Sequence, residues 1–194
     1  MAEATAVKVA IDLLHVPSRV RYLRSEPLPD GVLTVLRVAA GDGTAEADAA
    51  EALGRPAEMV RMASAFFIEQ LLLHPEADSY RVLGADRSAT ASELRRNMAL
   101  LLRWLHPDVD RRGTRSMFAG RVTGAWETLK TPERRAAYDK DRSTREATVR
   151  PRRAKSVRPR GRDEAAGRRF GWREPRRGLL QRALALLFGR ARYR

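Results

Sequence analysis

His106, Pro107 and Asp108 stand consecutively in a 194-residue chain that otherwise offers little reactive chemistry. The imidazole carries a donor and an acceptor, and the carboxylate can accept charge-assisted hydrogen bonds from a guanidinium on another molecule. Pro107 cannot continue a helix and biases His106 away from helical angles, so both polar side chains are expected on an exposed loop. This is chemistry for recognition. For catalysis the sequence shows no Gly-rich phosphate loop, no Ser nucleophile elbow and no paired-carboxylate signature, and Asp108 with Asp110 reads as solvated loop charge. Cys is absent, which removes disulfides, thiolate metal sites, iron–sulfur clusters and a cysteine nucleophile together and makes the cytoplasm the default compartment. His15 and His74 lie far from His106 in sequence and no ligand spacing surrounds any of the three, so neither a metal nor another cofactor is expected. His74-Pro75-Glu76 looks like a second copy of the tripeptide, but its proline reads as the stop of a long helix.

Two helices must position the loop. Over Glu93–Leu105 the apolar residues Leu94, Met98, Leu101 and Leu105 recur at i, i+4, i+7 and i+11, and Phe118, Val122, Ala125 and Leu129 repeat that spacing beyond the loop. An antiparallel helical hairpin follows. Gly120 and Gly124 weaken its second helix by about 1 kcal/mol each relative to Ala. On the outer side of the first helix, Arg96, Leu100 and Trp104 lie at i, i+4 and i+8, which places two large apolar side chains on a stripe expected to face solvent or a partner. Such a stripe needs a cover.

Composition divides the rest of the chain. Residues 1–77 hold 7 basic and 11 acidic side chains and read as a small helical bundle, with helices ending before Pro17, starting after Pro29-Asp30-Gly31, stopping at Gly54 and opening again at Pro56. Residues 78–141 hold 13 basic and 9 acidic residues. The formal charge of +14 therefore lies beyond them, because residues 142–194 carry 18 basic and 4 acidic residues against 20 of each in residues 1–141. Residues 142–177 are rich in Arg, Pro and Gly without hydrophobic periodicity and are expected to be a disordered linker. Residues 178–194 regain a helical pattern, with Leu179, Leu180, Ala183, Leu184, Leu187 and Phe188 on one face and arginines around it. That basic amphipathic segment suits a membrane interface, and the arginine-rich tail also suits nonspecific attraction to nucleic-acid phosphates. No signal peptide and no apolar run long enough to cross a membrane is read from the sequence.

Between residues 78 and 141 the sequence resembles the J domain of DnaJ-type co-chaperones. The matching residues are Tyr80-Arg81-Val82-Leu83-Gly84 in a short first helix, Glu93-Leu94-Arg95-Arg96 opening the second and the His106-Pro107-Asp108 loop. Ala125-Trp126-Glu127-Thr128-Leu129 in the third helix and Glu133-Arg134-Arg135-Ala136-Ala137-Tyr138-Asp139 in the fourth complete the set. The resemblance implies a four-helix J domain over 78–141; together with the composition this gives an all-α body of an N-terminal helical domain (1–77) and that J domain, followed by the disordered linker (142–177) and the amphipathic helix (178–194).

It also implies that the chain docks on the ATP-bound state of a DnaK-type chaperone, of the heat-shock protein 70 family, and stimulates its ATP hydrolysis while catalysing nothing itself. The partner-binding residues carried over are His106, Pro107 and Asp108, with Arg95, Arg96 and Arg103 as electrostatic contacts. Ala99, Leu100 and Trp104 depart from the family, which commonly has further basic residues on that face. No Gly/Phe-rich segment or Cys-rich zinc module follows, which suggests a small specialised J protein of bacterial type. The alternative expectation is a scaffold with a degenerate J domain, tethered through its tail to nucleic acid or to a membrane, peripherally at the inner face. The cover for Leu100 and Trp104 is sought first in the N-terminal bundle and second in the 178–194 helix.

Overall fold

The computed structural model of the chain describes residues 5–106 and 115–149. Pro107, Asp108, the linker from residue 150 onward and the 178–194 helix lie outside the described residues. Within them every regular element is helical, as the sequence predicts, and none is long and apolar enough to cross a membrane.

The first five helices are α1 (Thr5–His15), α2 (Val20–Leu23), α3 (Val32–Ala39), α4 (Gly43–Leu53) and α5 (Ala57–Phe67). Their boundaries follow local chemistry. The Asp42 carboxylate accepts the backbone N–H groups of Thr44 and Ala45, both at 3.2 Å, and so opens α4. Pro56, with extended ψ, precedes α5; it has no N–H to satisfy, and its carbonyl accepts the Val60 N–H at 3.2 Å. Helix α5 buries Val60, Ala63 and Phe67 and packs against α1, α3 and α4, which places it at the centre of the bundle. It then widens into a π-helical stretch, Ile68–Leu72, that the apolar periodicity did not foretell.

The second group consists of α6 (Ser79–Val82), α7 (Ala91–Trp104), α8 (Ala119–Leu129) and α9 (Pro132–Val149), with α8 packed against the other three. Val122, Ala125 and Leu129 are buried on α8 as their spacing required, and Phe118 is half-buried beside them. Helix α9 runs past Asp141 to Val149, so residues 142–149, expected in the linker, are helical. Arg142 pairs with Asp78, which ties this extension to the start of α6, and the Ser143 and Thr144 hydroxyls bond back to the Asp139 and Lys140 carbonyls.

The stripe expected on α7 needs correction. Its buried residues are Leu94, Asn97, Leu101 and Trp104, at i, i+3, i+7 and i+10, while Met98 is half-buried. Trp104, expected on an exposed stripe, is 1% exposed, and Leu100 is half-buried. The cause is a second neighbour: α7 packs against α3 of the first group as well as α8, so its buried arc is wider than one partner helix would demand. One apolar cluster runs continuously from Ala6 in α1 to Leu129 in α8, and all described residues fall in one compact unit. The apolar cover sought in the N-terminal bundle is therefore found there.

Candidate partner-docking site

The site is built from α6 outward. Asp78 caps α6 by accepting the Arg81 N–H at 3.0 Å. Tyr80 is buried, donates its hydroxyl proton toward the Asp139 carboxylate at 3.0 Å and accepts from Arg135 Nε at 2.9 Å. Arg135 spends its other donors on the Ala89 and Arg87 carbonyls, both at 2.7 Å, and its guanidinium lies 5.2 Å from the Tyr80 ring centroid. Tyr138 meets Tyr80 edge-on, with centroids 5.9 Å apart, and its hydroxyl accepts the Ser79 N–H at 2.9 Å. The Arg-x-x-Tyr-Asp residues of α9 thus fasten α6 and the loop before α7. Burial, the largest effect, raises the Tyr80 pKa against the opposing pull of Arg135.

Helix α7 begins with a reciprocal cap. Thr90 Oγ1 accepts the Glu93 N–H at 3.2 Å, and the Glu93 carboxylate accepts the Thr90 N–H at 2.7 Å, which holds that carboxyl below its usual range. One turn on, buried Asn97 donates Nδ2 to the Leu83 and Gly84 carbonyls at 3.0 and 3.3 Å. Gly84 has φ +62°, and a Cβ there would lie 3.0 Å from Val32 Cγ1 of α3, so glycine is needed both for the turn and for the close approach.

Opposite the buried arc, Arg96, Ala99, Arg103 and His106 recur at i, i+3, i+7 and i+10, and all four are exposed. Arg95 is exposed beside them. The His106 N–H donates to the Arg103 carbonyl at 3.1 Å, so the last turn of α7 closes onto the first residue of the tripeptide. Four of the six expected contact residues, His106, Arg95, Arg96 and Arg103, are therefore gathered on one solvent-facing side of α7, and Pro107 and Asp108 lie outside the described residues.

The far side of α7 is tied to the bundle. The Arg115 guanidinium stacks 4.8 Å from the Trp104 ring centroid, and its Nε pairs with Glu69 Oε1 of the π-helical stretch at 3.2 Å. Because Arg115, one short 3-10 turn (Ser116–Phe118) before α8, thus reaches the last residue of α7, and the two helices pack together, the hairpin is antiparallel. Arg121 donates to the Leu73 and Pro75 carbonyls at 2.6 and 3.2 Å, and Arg81 donates to those of Leu23, Glu26 and Leu71 at 2.7, 2.8 and 3.1 Å. His74-Pro75-Glu76 is thereby a helix-ending turn held from α8, as its proline suggested.

Sequence reasoning missed Glu69, Asn97, Arg115 and Arg121, and the carbonyl bonds of Arg81, because the partners are mostly tens of residues away and leave no local pattern. The Thr90 cap was readable: a threonine three residues before a glutamate, ahead of an apolar run, is the signature of a capping box. Among the described residues no group of His, Asp or Glu is placed to hold a metal ion.

Residues 78–139 match the family model of the DnaJ domain. Relatives include a curved DNA-binding protein of Coxiella burnetii, 40% identical over 62 residues that make up 32% of this chain and 20% of that protein. A chaperone protein DnaJ of Leifsonia xyli is 39% identical over 64 residues, 33% of this chain and 17% of the relative, and one of Thermosynechococcus vestitus is 42% identical over 64 residues, 32% and 17%. The matches span about a fifth or less of these relatives' length. No solved structure is significantly similar to the chain. The stretch that matches the DnaJ domain, residues 78–139, comprises the short α6, the antiparallel α7–α8 pair with His106 exposed beyond the end of α7, and the α9 residues that lock α6 in place.

Proposed function

We propose that this protein is a J-domain co-chaperone that docks α7 and the His106-Pro107-Asp108 segment on the ATP-bound form of a DnaK-type chaperone and stimulates its ATP hydrolysis. The observation that carries the reading is the exposed face of Arg96, Ala99, Arg103 and His106 on the second helix of a DnaJ domain. Cationic side chains there attract an acidic partner surface, and His106 with Asp108 supplies the directional hydrogen bonds. The reaction itself takes place on the chaperone. Single-turnover ATP hydrolysis by the host's DnaK-type chaperone rises when the full chain is added, and His106→Gln or Asp108→Asn abolishes the rise. Equal rates with wild type and both variants would overturn the reading.

A second reading, that the chain is a tether, is favoured by the tail, where residues 142–194 carry 18 basic and 4 acidic side chains. Such a segment binds anionic surfaces through phosphate charge, with strong salt dependence, and would hold the DnaJ domain against nucleic acid or the cytoplasmic face of a membrane. Truncation after Val149 separates the two roles. It leaves ATPase stimulation in place and removes retention on anionic vesicles or on DNA.

A further inference from the structure

The Glu69–Arg115–Trp104 contact joins the N-terminal bundle to the end of α7 that carries His106. Trp104 is 1% exposed, is the last residue of α7 and precedes His106 by two residues. One face of that ring is met by the Arg115 guanidinium at 4.8 Å. Arg115 Nε is in turn held by Glu69 Oε1 at 3.2 Å, with both side chains about one-third exposed or less. Glu69 belongs to the Ile68–Leu72 stretch, where the helix is wound wider than an α-helix. π-helical turns are rare and are found frequently at functional sites. Both polar side chains of the stretch do receive an arginine: Gln70 takes Arg24 through Oε1 at 3.2 Å and through its carbonyl at 2.9 Å.

We propose that Glu69 is a positioning residue for chaperone docking, which acts through Arg115 and Trp104 to fix the end of α7 and thus the presentation of His106. This deepens the co-chaperone reading and rests on it. The N-terminal bundle is then part of the docking device, since it supplies the carboxylate that orders the guanidinium against the indole. A carboxylate paired with a guanidinium favours the orientation in which the guanidinium lies over the aromatic face. Removing the carboxylate loosens the presentation of the docking residues without deleting any of them.

The test uses the full chain with Trp126→Phe and Trp172→Phe, so that emission reports Trp104 alone. Glu69→Ala, Glu69→Gln and Glu69→Asp are compared in two measurements, the Trp104 emission spectrum and a titration of ATPase stimulation against co-chaperone concentration. Glu69→Ala is expected to shift the emission to the red and to raise the half-maximal concentration by about twofold to fivefold, the range for a part-exposed ion pair, while the plateau rate is unchanged. Glu69→Gln falls between, because its amide oxygen still accepts from Arg115, and Glu69→Asp restores most of the wild-type value. A shifted spectrum with an unmoved titration overturns the positioning role and leaves Glu69 a structural contact. An unmoved spectrum and titration overturn it as well. If Glu69→Ala fails to fold, as judged by its circular dichroism, Glu69→Gln decides by the same two measurements. A wild type that does not stimulate overturns the co-chaperone reading and this role together, whereas a stimulating wild type matched by Glu69→Ala overturns this role alone.

Discussion

Residues 5–73 are held mainly by packing of small and branched apolar side chains, Ala6, Val7, Ala10, Val35, Leu36, Val60, Ala63 and Phe67 among them. Residues 78–145 have an apolar core too, but they add a web of specific polar bonds in which Tyr80, Arg135, Tyr138 and Asp139 fasten α9 to α6, and Asn97 ties α7 to the turn at Gly84. The boundary between the regions combines both modes. Trp104 and Leu72 share one core across it, while Arg81 and Arg121 reach back to carbonyls of the first region. The difference teaches why the second region carries a recognisable signature and the first does not. Apolar packing accepts many side chains of similar volume, whereas a hydroxyl between a guanidinium and a carboxylate has few substitutes.

The largest expected effect tests whether the two regions are one folding unit. Trp104→Ala removes a fully buried indole from the shared core and is expected to cost about 3–5 kcal/mol, measured by urea denaturation. If the core is shared, wild type unfolds in a single transition, with far-ultraviolet circular dichroism and tryptophan emission giving the same midpoint. Two separated midpoints would break the comparison, because the regions would then be independent domains.

Arg81→Met comes next. It keeps much of the aliphatic stem and removes three donors from the Leu23, Glu26 and Leu71 carbonyls, bonds that span the boundary. A cost of about 2–4 kcal/mol is expected, from orphaned carbonyls more than from lost attraction. Hydrogen exchange locates the effect: protection should fall at α2 and at the π-helical stretch together. A loss confined to α6 would mean that Arg81 serves only its own helix.

Much of this molecule was legible in its sequence, for reasons that differ by element. Pro56, Gly54 and the Pro29-Asp30-Gly31 turn mark helix ends by local backbone rules, and α3 (Val32–Ala39), α4 (Gly43–Leu53) and α5 (Ala57–Phe67) lie close to where those rules place them. On α7 the spacing placed Leu94 and Leu101 inside and left Arg95, Arg96 and Arg103 outside, as found. Trp104 was misplaced because periodicity tells which residues share a face, and not how many neighbours a helix will have. Measured from Leu94 and Leu101 it sits at the edge of the arc, and its burial reflects contacts from outside the α7–α8 pair, since α7 also packs against α3 and Arg115, which lies over the indole, is paired with Glu69. Glu69 and Arg115 are 46 residues apart, and no local rule pairs an acid with a base at that range. The widened turn at Ile68–Leu72 has the same cause, since Ile68, Leu71 and Leu72 are apolar and fit either winding.

A smaller effect is expected at the start of α7. Thr90→Ala deletes the acceptor for the Glu93 N–H and the hydroxyl that donates to the Glu93 carboxylate, while the backbone N–H of residue 90 can still donate to that carboxylate, at a cost of about 1 kcal/mol. This cap lies at the end of α7 away from His106. Calorimetry should therefore show a melting temperature lowered by a few degrees, while ATPase stimulation at saturating co-chaperone is retained. A loss of stimulation as large as that of His106→Gln would instead place the helix start in the docking event.

The smallest effect probes the boundary by pH. His74 ends the wide helical stretch, and its Nδ1 accepts the Glu76 N–H at 3.2 Å, which requires that nitrogen to be unprotonated. Partial desolvation lowers its pKa first, the positive charge of Arg24 second, and those of Arg121 and Arg81 add to this, while Glu76 pulls the other way. The unfolded chain takes up the proton at the ordinary histidine value, about pH 6.5, and the folded chain only below it. Unfolding therefore binds protons in that interval, so stability is intact above about pH 6.5 and declines as the pH falls toward the depressed folded value. Asp42, Asp86 and Glu93 do not enter this window, because their hydrogen bonds hold them below the usual carboxylate range. His74→Gln keeps an acceptor and cannot titrate, so the variant should lose less stability than wild type between pH 7.5 and 5.5 in matched urea titrations. The difference should shrink in high salt, which screens the part due to the arginines and leaves the desolvation part. Identical pH profiles would mean that solvent already screens the arginine cluster at the boundary, and that its hydrogen bonds to backbone carbonyls, rather than its charge, hold the two regions together.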